Sequence, residues 1–120
     1  KREWLHVLDH CTAIDLVLRM GRAGDTYNVG SGVEATIEEI ADRVLELTGK
    51  PSSLKTIVPD RPGHDRRYLL DATKITEELG WKPAHAFSDG LAGTIAWYDA
   101  NRDWWEPLKQ RAPVEETTWQ

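Results

Sequence analysis

Apolar residues recur at helical spacing in several stretches of the chain. The clearest stripe is Ile37, Ile40, Ala41, Val44, Leu45 and Thr48. These positions share one face of a 3.6-residue period. Thr36 and Glu39 stand three apart at its start, the spacing of a reciprocal capping box, and Gly49 followed by Lys50-Pro51 ends it. A second stripe, Cys11, Ile14, Val17 and Leu18, predicts a helix capped by Asp9 and closed by Gly21 and Gly24. A short third helix runs from the cap Asp71 through Ile75 and Leu79 to Gly80, and Trp81-Lys82-Pro83 makes a turn. A last long helix carries Leu91, Ala92, Ile95, Trp97 and Tyr98, with Ser88 as its cap and Pro107 limiting continuation.

Between the helical stripes lie short runs of β-branched and aromatic residues. Strands are expected within residues 1–8, which carry Trp4, Leu5 and Val7, at residues 26–29, and at residues 55–58. Residues 68–70 make a short extended piece, and the polar tail at 113–120, with Trp119, is expected on a surface. The order is βαβαβ, a loop, then two helices, which argues for an α/β or α+β layer. Three or four short strands form a thin sheet, the kind that leans on a larger partner. The chain starts on a strand with no visible leader.

Length allows one domain with a modest core, since the chain has 120 residues. No apolar run approaches the ~20 residues that span a bilayer. The single cysteine, Cys11, excludes an internal disulfide, fits a reducing cytoplasm, and is expected to be a small buried residue. A net charge of −5 argues against nucleic-acid binding, which needs a broad basic face. Four of the six tryptophans fall in the last quarter, which suits a surface covered by another body.

Against that acidic background, one segment is cationic. Pro59-Asp60-Arg61-Pro62-Gly63-His64-Asp65-Arg66-Arg67-Tyr68 packs three arginines, two aspartates and a histidine into a turn set by proline and glycine. Arginine grips phosphate in a bidentate way with a charge that does not titrate away. Two readings stand. The loop's charges pair among themselves on a surface, or the loop meets a small phosphorylated ligand.

Gly30-Ser31-Gly32-Val33-Glu34-Ala35 matches the G-x-G-x-x-G/A pattern of dinucleotide-binding turns. That motif needs its helix to begin inside the pattern, with the N-terminus on the pyrophosphate. Here the capping box starts the helix at Thr36, after the pattern. The dinucleotide reading is disfavoured, although a helix N-terminus of this kind still suits a phosphate. His6, His10, His64 and His85 lack metal-ligand spacing. No nucleophile elbow is present, and Tyr27, Tyr68 and Tyr98 are followed four residues on by Ser31, Ala72 and Arg102, so no tyrosine–lysine catalytic pair exists.

Several strings resemble dTDP-glucose 4,6-dehydratases, members of the extended short-chain dehydrogenase/reductase class. Arg2-Glu3-Trp4-Leu5-His6-Val7 with Asp9-His10 resembles their R-D-W-L-Y-V…D-H, and Tyr27-Asn28-Val29-Gly30 their Y-N-I-G. Asp60-Arg61-Pro62-Gly63-His64-Asp65-Arg66-Arg67-Tyr68 is similar to their D-R-P-G-H-D-R-R-Y throughout. Asp71-Ala72, Lys74-Ile75, Leu79-Gly80-Trp81, Pro83, Gly90, Thr94 and Trp97-Tyr98 follow in the family's order.

The resemblance implies an α/β fold: the small C-terminal substrate-binding portion, short strands plus about four helices, of a Rossmann-type enzyme. It implies that residues 1–120 form that portion, and that a preceding Rossmann domain carries NAD and the catalytic groups. The implied parent reaction turns dTDP-glucose into its 4-keto-6-deoxy product and water, through oxidation at C4, water loss across C5 and C6, and hydride return to C6. The implied substrate-binding residues are Arg2, Thr36, Arg61 and His64, with no catalytic, cofactor or metal residue in this stretch. Arg2 and Arg61 match phosphate-holding arginines, and His64 matches a histidine that lies against the nucleoside. Thr36 stands where the family has asparagine, after a loop one residue shorter. Glu3 and His6 replace the family's usual aspartate and tyrosine. A cytoplasmic homodimer is the implied parent. A sister epimerase or decarboxylase, which generally lacks the R-P-G-H-D-R-R-Y string, and a stand-alone nucleotide-binding or interaction module are the alternatives.

Overall fold

The structure is a computed structural model that describes residues 1–60 and 62–111. Among these residues five α-helices and two very short strands follow in the order β1 (Arg2–Glu3), α1 (Val7–Met20), β2 (Glu34–Ala35), α2 (Ile37–Thr48), α3 (Thr73–Leu79), α4 (Phe87–Ala100) and α5 (Arg102–Arg111), with a 3-10 turn at Ser52–Leu54. β1 and β2 pair antiparallel, Arg2 opposite Ala35 and Glu3 opposite Glu34. Helix α1 packs on α3, α2 on α4, and α4 on α5.

Helix α2 forms where its stripe and cap place it. The Thr36 hydroxyl accepts from the Glu39 N–H at 3.0 Å, and the Glu39 carboxylate accepts from the Thr36 N–H at 2.6 Å. Gly49 closes the helix at φ 63°, a left-handed position suited to glycine. The cap of α3 falls at Ala72, which offers no side chain, one residue after the expected Asp71; Asp71 still accepts from the Thr73 N–H at 2.9 Å, and Gly80 ends the helix at φ 73°.

Other expectations need correction. Helix α1 starts two residues before Asp9, with His6 as its cap: His6 Nδ1 accepts from the Leu8 N–H at 3.3 Å. Asp9 is instead buried inside the first turn. The apolar stripe expected to be core is only partly so. Ala13 is fully buried, with Leu16 and Val17 beside it, whereas Cys11, Ile14 and Leu18 are exposed. The small residue in the middle sets how closely α1 approaches α3, and the stripe faces outward beyond it. Helix α4 begins at Phe87 with no side-chain cap from Ser88. A fifth helix runs on through Pro107.

Residues 26–29 and 55–58 form no ladder among the described residues. Strand-favouring side chains mark a half-buried pleated surface and need a neighbour to pair with. Tyr27 and Val29 still reach the core, and the Tyr27 hydroxyl donates to Glu78 at 3.0 Å. Ile57 meets no such support and is 99% exposed. The tail at 113–120 lies outside the described residues.

The core is thin. Among the described residues Ala13, Ile75 and Trp81 are its buried apolar members, ringed by Leu5, Leu16, Val17, Tyr27, Val29, Ala72 and Leu79. Trp81 keeps its indole N–H satisfied by donating to the Thr12 hydroxyl at 3.1 Å.

Candidate phosphate-binding site

The first residues of the chain hold the site together. Trp4 N–H donates to the Val33 carbonyl at 3.0 Å, extending the β1–β2 pairing. On the other edge of β1, Tyr68 N–H donates to the Lys1 carbonyl at 3.1 Å, and the Lys1 amino group donates to the Arg66 carbonyl at 2.7 Å. β1 therefore lies between the approach to α2 and the exit of the cationic loop. This places Arg2 beside both.

Arg2 is the centre of the arrangement. Its Nη1 donates to the Lys1 carbonyl at 2.9 Å and to the Asp65 carbonyl at 2.8 Å. Its Nη2 lies 2.6 Å from His64 Nε2. His64 Nδ1 in turn lies 2.6 Å from Asp60 Oδ1. The Tyr68 ring sits 5.1 Å from the Arg2 guanidinium, in cation–π range. Gly63 takes φ 71°, which lets the loop turn sharply enough to return His64 to β1.

Three of the four expected binding residues are thereby drawn to one end of β1. Arg2 and His64 touch, and Thr36 directly follows Ala35, the partner of Arg2. Thr36 has its N–H and one hydroxyl lone pair committed to Glu39, which leaves the hydroxyl proton free to donate to a ligand oxygen. The bond to the Thr36 backbone holds the Glu39 carboxyl below its ordinary range. Arg61 lies outside the described residues.

The loop's other charges find different partners from those expected. If the loop's charges paired among themselves, Arg66 and Arg67 would meet Asp60 and Asp65. Arg67 instead forms a bidentate pair with Glu34 across the strands, Nε to Oε1 at 2.6 Å and Nη2 to Oε2 at 2.7 Å. The Arg67 hydrogen bonds push the Glu34 carboxyl down, and Glu34 pushes the guanidinium up. Asp60 binds His64, and Asp65 offers Arg2 its carbonyl.

Sequence reasoning also missed Glu3. Its carboxylate accepts from the Gly32 N–H at 2.7 Å and from the Leu70 N–H at 3.0 Å, tying the glycine loop to the exit of the cationic loop. A side chain at Gly30 would place its Cβ 2.5 Å from the Glu3 carboxylate. The Gly30–Ala35 pattern is thus a turn folded onto the chain's own carboxylate, with α2 starting beyond it. A dinucleotide pyrophosphate does not fit there, because the loop donor meets an anion already. The Asp60–His64 spacing of four residues was the one legible sign of these contacts. Glu3 and Glu34 carried none, since carboxylates are common on any surface.

A second polar cluster lies away from the loop. Asp9 accepts from the His85 N–H at 3.1 Å and from His85 Nδ1 at 2.7 Å. The His6 ring stacks on His85 with centroids 4.0 Å apart, and Gly90 leaves room for His6, since a Cβ there would meet its ring at 3.1 Å. These contacts join the start of α1 to the approach to α4, and they are structural in character.

The chain is similar to known proteins over most of its length. The family described as GDP-mannose 4,6 dehydratase matches residues 1–94. A dTDP-glucose 4,6-dehydratase of Streptomyces niveus is 55% identical over 117 residues, covering 98% of this chain and 34% of that protein. The dTDP-glucose 4,6-dehydratase DesIV of Streptomyces venezuelae, solved with NAD and TDP bound, superposes with a TM-score of 0.84 at 51% identity, covering 89% of this chain and 33% of that one. The Bacillus anthracis enzyme, solved in complex with NAD, gives a TM-score of 0.82 at 46% identity over 89% of this chain and 34% of its own. The chain spans about a third of the length of the curated relatives it matches. With most of its length matched by the family, the chain belongs to the GDP-mannose 4,6 dehydratase family and corresponds to the C-terminal part of that family's dTDP-glucose 4,6-dehydratases.

Proposed function

We propose that residues 1–120 are the nucleotide-sugar-binding domain of an NAD-dependent dTDP-glucose 4,6-dehydratase. The observation that carries this reading is the Arg2 guanidinium, held by the Asp65 carbonyl and His64 at the junction of two loops. A guanidinium fixed in this way is suited to a diphosphate, whose oxygens take paired N–H donors. His64 and Thr36 flank it, and Arg61 joins them on the sequence match alone. In this reading the chemistry belongs to a Rossmann domain elsewhere in the polypeptide. That domain supplies NAD, which takes hydride from the sugar's C4 and returns it to C6. The residues described here bind and orient the nucleotide end. The parent enzyme is a cytoplasmic homodimer, and among the described residues no helix is long and apolar enough to cross a membrane.

Calorimetric titration of the chain with dTDP, UDP and GDP tests the reading. Binding is expected for dTDP, and Arg2→Ala is expected to weaken it by about 1.5–3 kcal/mol, the scale of a charge-assisted hydrogen bond. Equal affinity of the two proteins for dTDP would overturn the assignment of Arg2. The chain alone is expected to turn over no dTDP-glucose.

A further inference from the structure

The contacts around His64 determine where its proton sits. A guanidinium has donors and no acceptor. The 2.6 Å contact between Arg2 Nη2 and His64 Nε2 therefore requires Nε2 to present a lone pair. The ring's proton is then on Nδ1, which faces Asp60 Oδ1 at 2.6 Å. Asp60 is an acceptor when ionised, so the two contacts agree on one neutral tautomer. In a histidine, the hydrogen bond made by one ring nitrogen sets the state of the other.

We propose that Asp60 is a positioning residue for phosphate binding: by accepting the Nδ1 proton of His64, it leaves Nε2 free to hold and aim the Arg2 guanidinium. Asp60 acts on the ligand here through these two contacts. Among the described residues, three of the five Arg2 N–H groups are engaged, by the Lys1 carbonyl, the Asp65 carbonyl and His64. Two remain to meet a phosphate. The Lys1 and Asp65 carbonyls fix Nη1, and His64 fixes Nη2, so the guanidinium plane is set from both ends. If the His64 proton moved to Nε2, that nitrogen would turn a donor toward a donor, and Arg2 would lose one end of its support. The loop's two turn residues, Pro62 and Gly63, fall between Asp60 and His64 and let residues four apart meet side chain to side chain.

The inference rests on the nucleotide-binding reading only for its ligand, and the test separates the two. Imidazole nitrogen NMR on the chain at about pH 8, where an ordinary histidine is neutral, reads the tautomer with no ligand present. His64 is expected in the Nδ1–H form, and Asp60→Ala is expected to move it toward Nε2–H. A wild-type His64 in the Nε2–H form, or one unchanged by Asp60→Ala, overturns the proposal whether or not dTDP binds. In calorimetry with dTDP, Asp60→Ala is expected to weaken binding roughly five- to tenfold, the loss of one hydrogen bond. In a His64→Ala background the same change is expected to cost nothing further, because coupled residues fail to add. An equal loss in both backgrounds would mean that Asp60 acts by its charge alone and would sink the relay. Absence of any dTDP binding by the wild-type chain, with the tautomer as expected, would count against the nucleotide reading and leave the Asp60–His64–Arg2 relay standing.

Discussion

Asp9 shows how a single residue can be misplaced by pattern and still prove central. Its position before an apolar stripe reads as a cap, but its carboxylate is 2% exposed and receives two hydrogen bonds from His85. Burial alone would push the carboxyl up. The bonds from His85, a backbone bond from Ala84 and the charge of His85 outweigh that and hold it below the ordinary aspartate value. A depressed folded-state pKa stabilises the fold above the unfolded aspartate value of about 3.9. That contribution is lost as pH falls through the folded-state value. Asp9→Asn is therefore expected to lower stability at neutral pH by about 1–3 kcal/mol, the cost of weakening a buried polar contact. The deficit is expected to shrink on acidification below about pH 4. Thermal melts of both proteins between neutral and acid pH check this; a deficit independent of pH would show that the charge is irrelevant. Arg2 and His64 meet because the returning loop comes back to β1, while the partner of Arg67 was not legible, since nothing in the sequence says that Glu34 lies across a strand pair from it.

At the level of elements, helices were legible in proportion to how local their determinants are. Helix α2 has its stripe, its capping box and its left-handed glycine within fourteen consecutive residues, 36–49; the box and the glycine appear as read, and the stripe is half-buried at Ile40, Ala41, Val44 and Leu45 but exposed at Ile37 and Thr48. Thr36→Ala is expected to cost about 1 kcal/mol of stability, the usual worth of an N-cap. Thr36→Ser is expected to retain most of it; chemical denaturation of the three proteins measures the difference. Helix α4 has no capping side chain, and its cap falls at Ala86, two residues before Ser88. Pro107 misled in the other direction: α5 continues past it even though proline lacks the N–H of a helix interior. The strands were the least legible elements. Strand pairing depends on a partner distant in sequence, and residues 55–58 have strand-like composition without one among the described residues.

The molecule as a whole has more apolar surface than its core explains. Leu18 is 82% exposed on the outer face of α1, with Ile14 and Met20 nearby on the same helix, and Trp97, Tyr98 and Trp104 are exposed where α4 meets α5. Trp97 makes edge contacts with both Tyr98 and Trp104, so the exposed aromatics form a patch rather than scattered single residues. Contiguous apolar surface of this kind marks a place where something packs. The isolated chain is expected to self-associate with rising concentration, and Leu18→Lys with Ile57→Lys is expected to reduce that. Sedimentation velocity over a concentration series tests it; a strictly monomeric wild-type chain would contradict the expectation. The surplus of tryptophan was legible from composition, but the outward turn of the α1 stripe was not, because periodicity marks a face without saying which side the core takes.

The opening segment has a kinetic consequence. Arg2 meets His64 across 62 positions, Glu3 meets Leu70 across 67, Thr12 meets Trp81 across 69 and Asp9 meets His85 across 76. Each closes a loop of more than half the chain, so the conformational entropy of closure is lost before most of the stabilising contacts exist. Helices α1 and α2 can form early from local information, but β1 cannot be fixed until the cationic loop has returned to it. Contacts of this separation slow folding relative to a chain held by local helical contacts alone. The end of the molecule that carries Arg2, Thr36 and His64 is thus expected among the last parts to assemble.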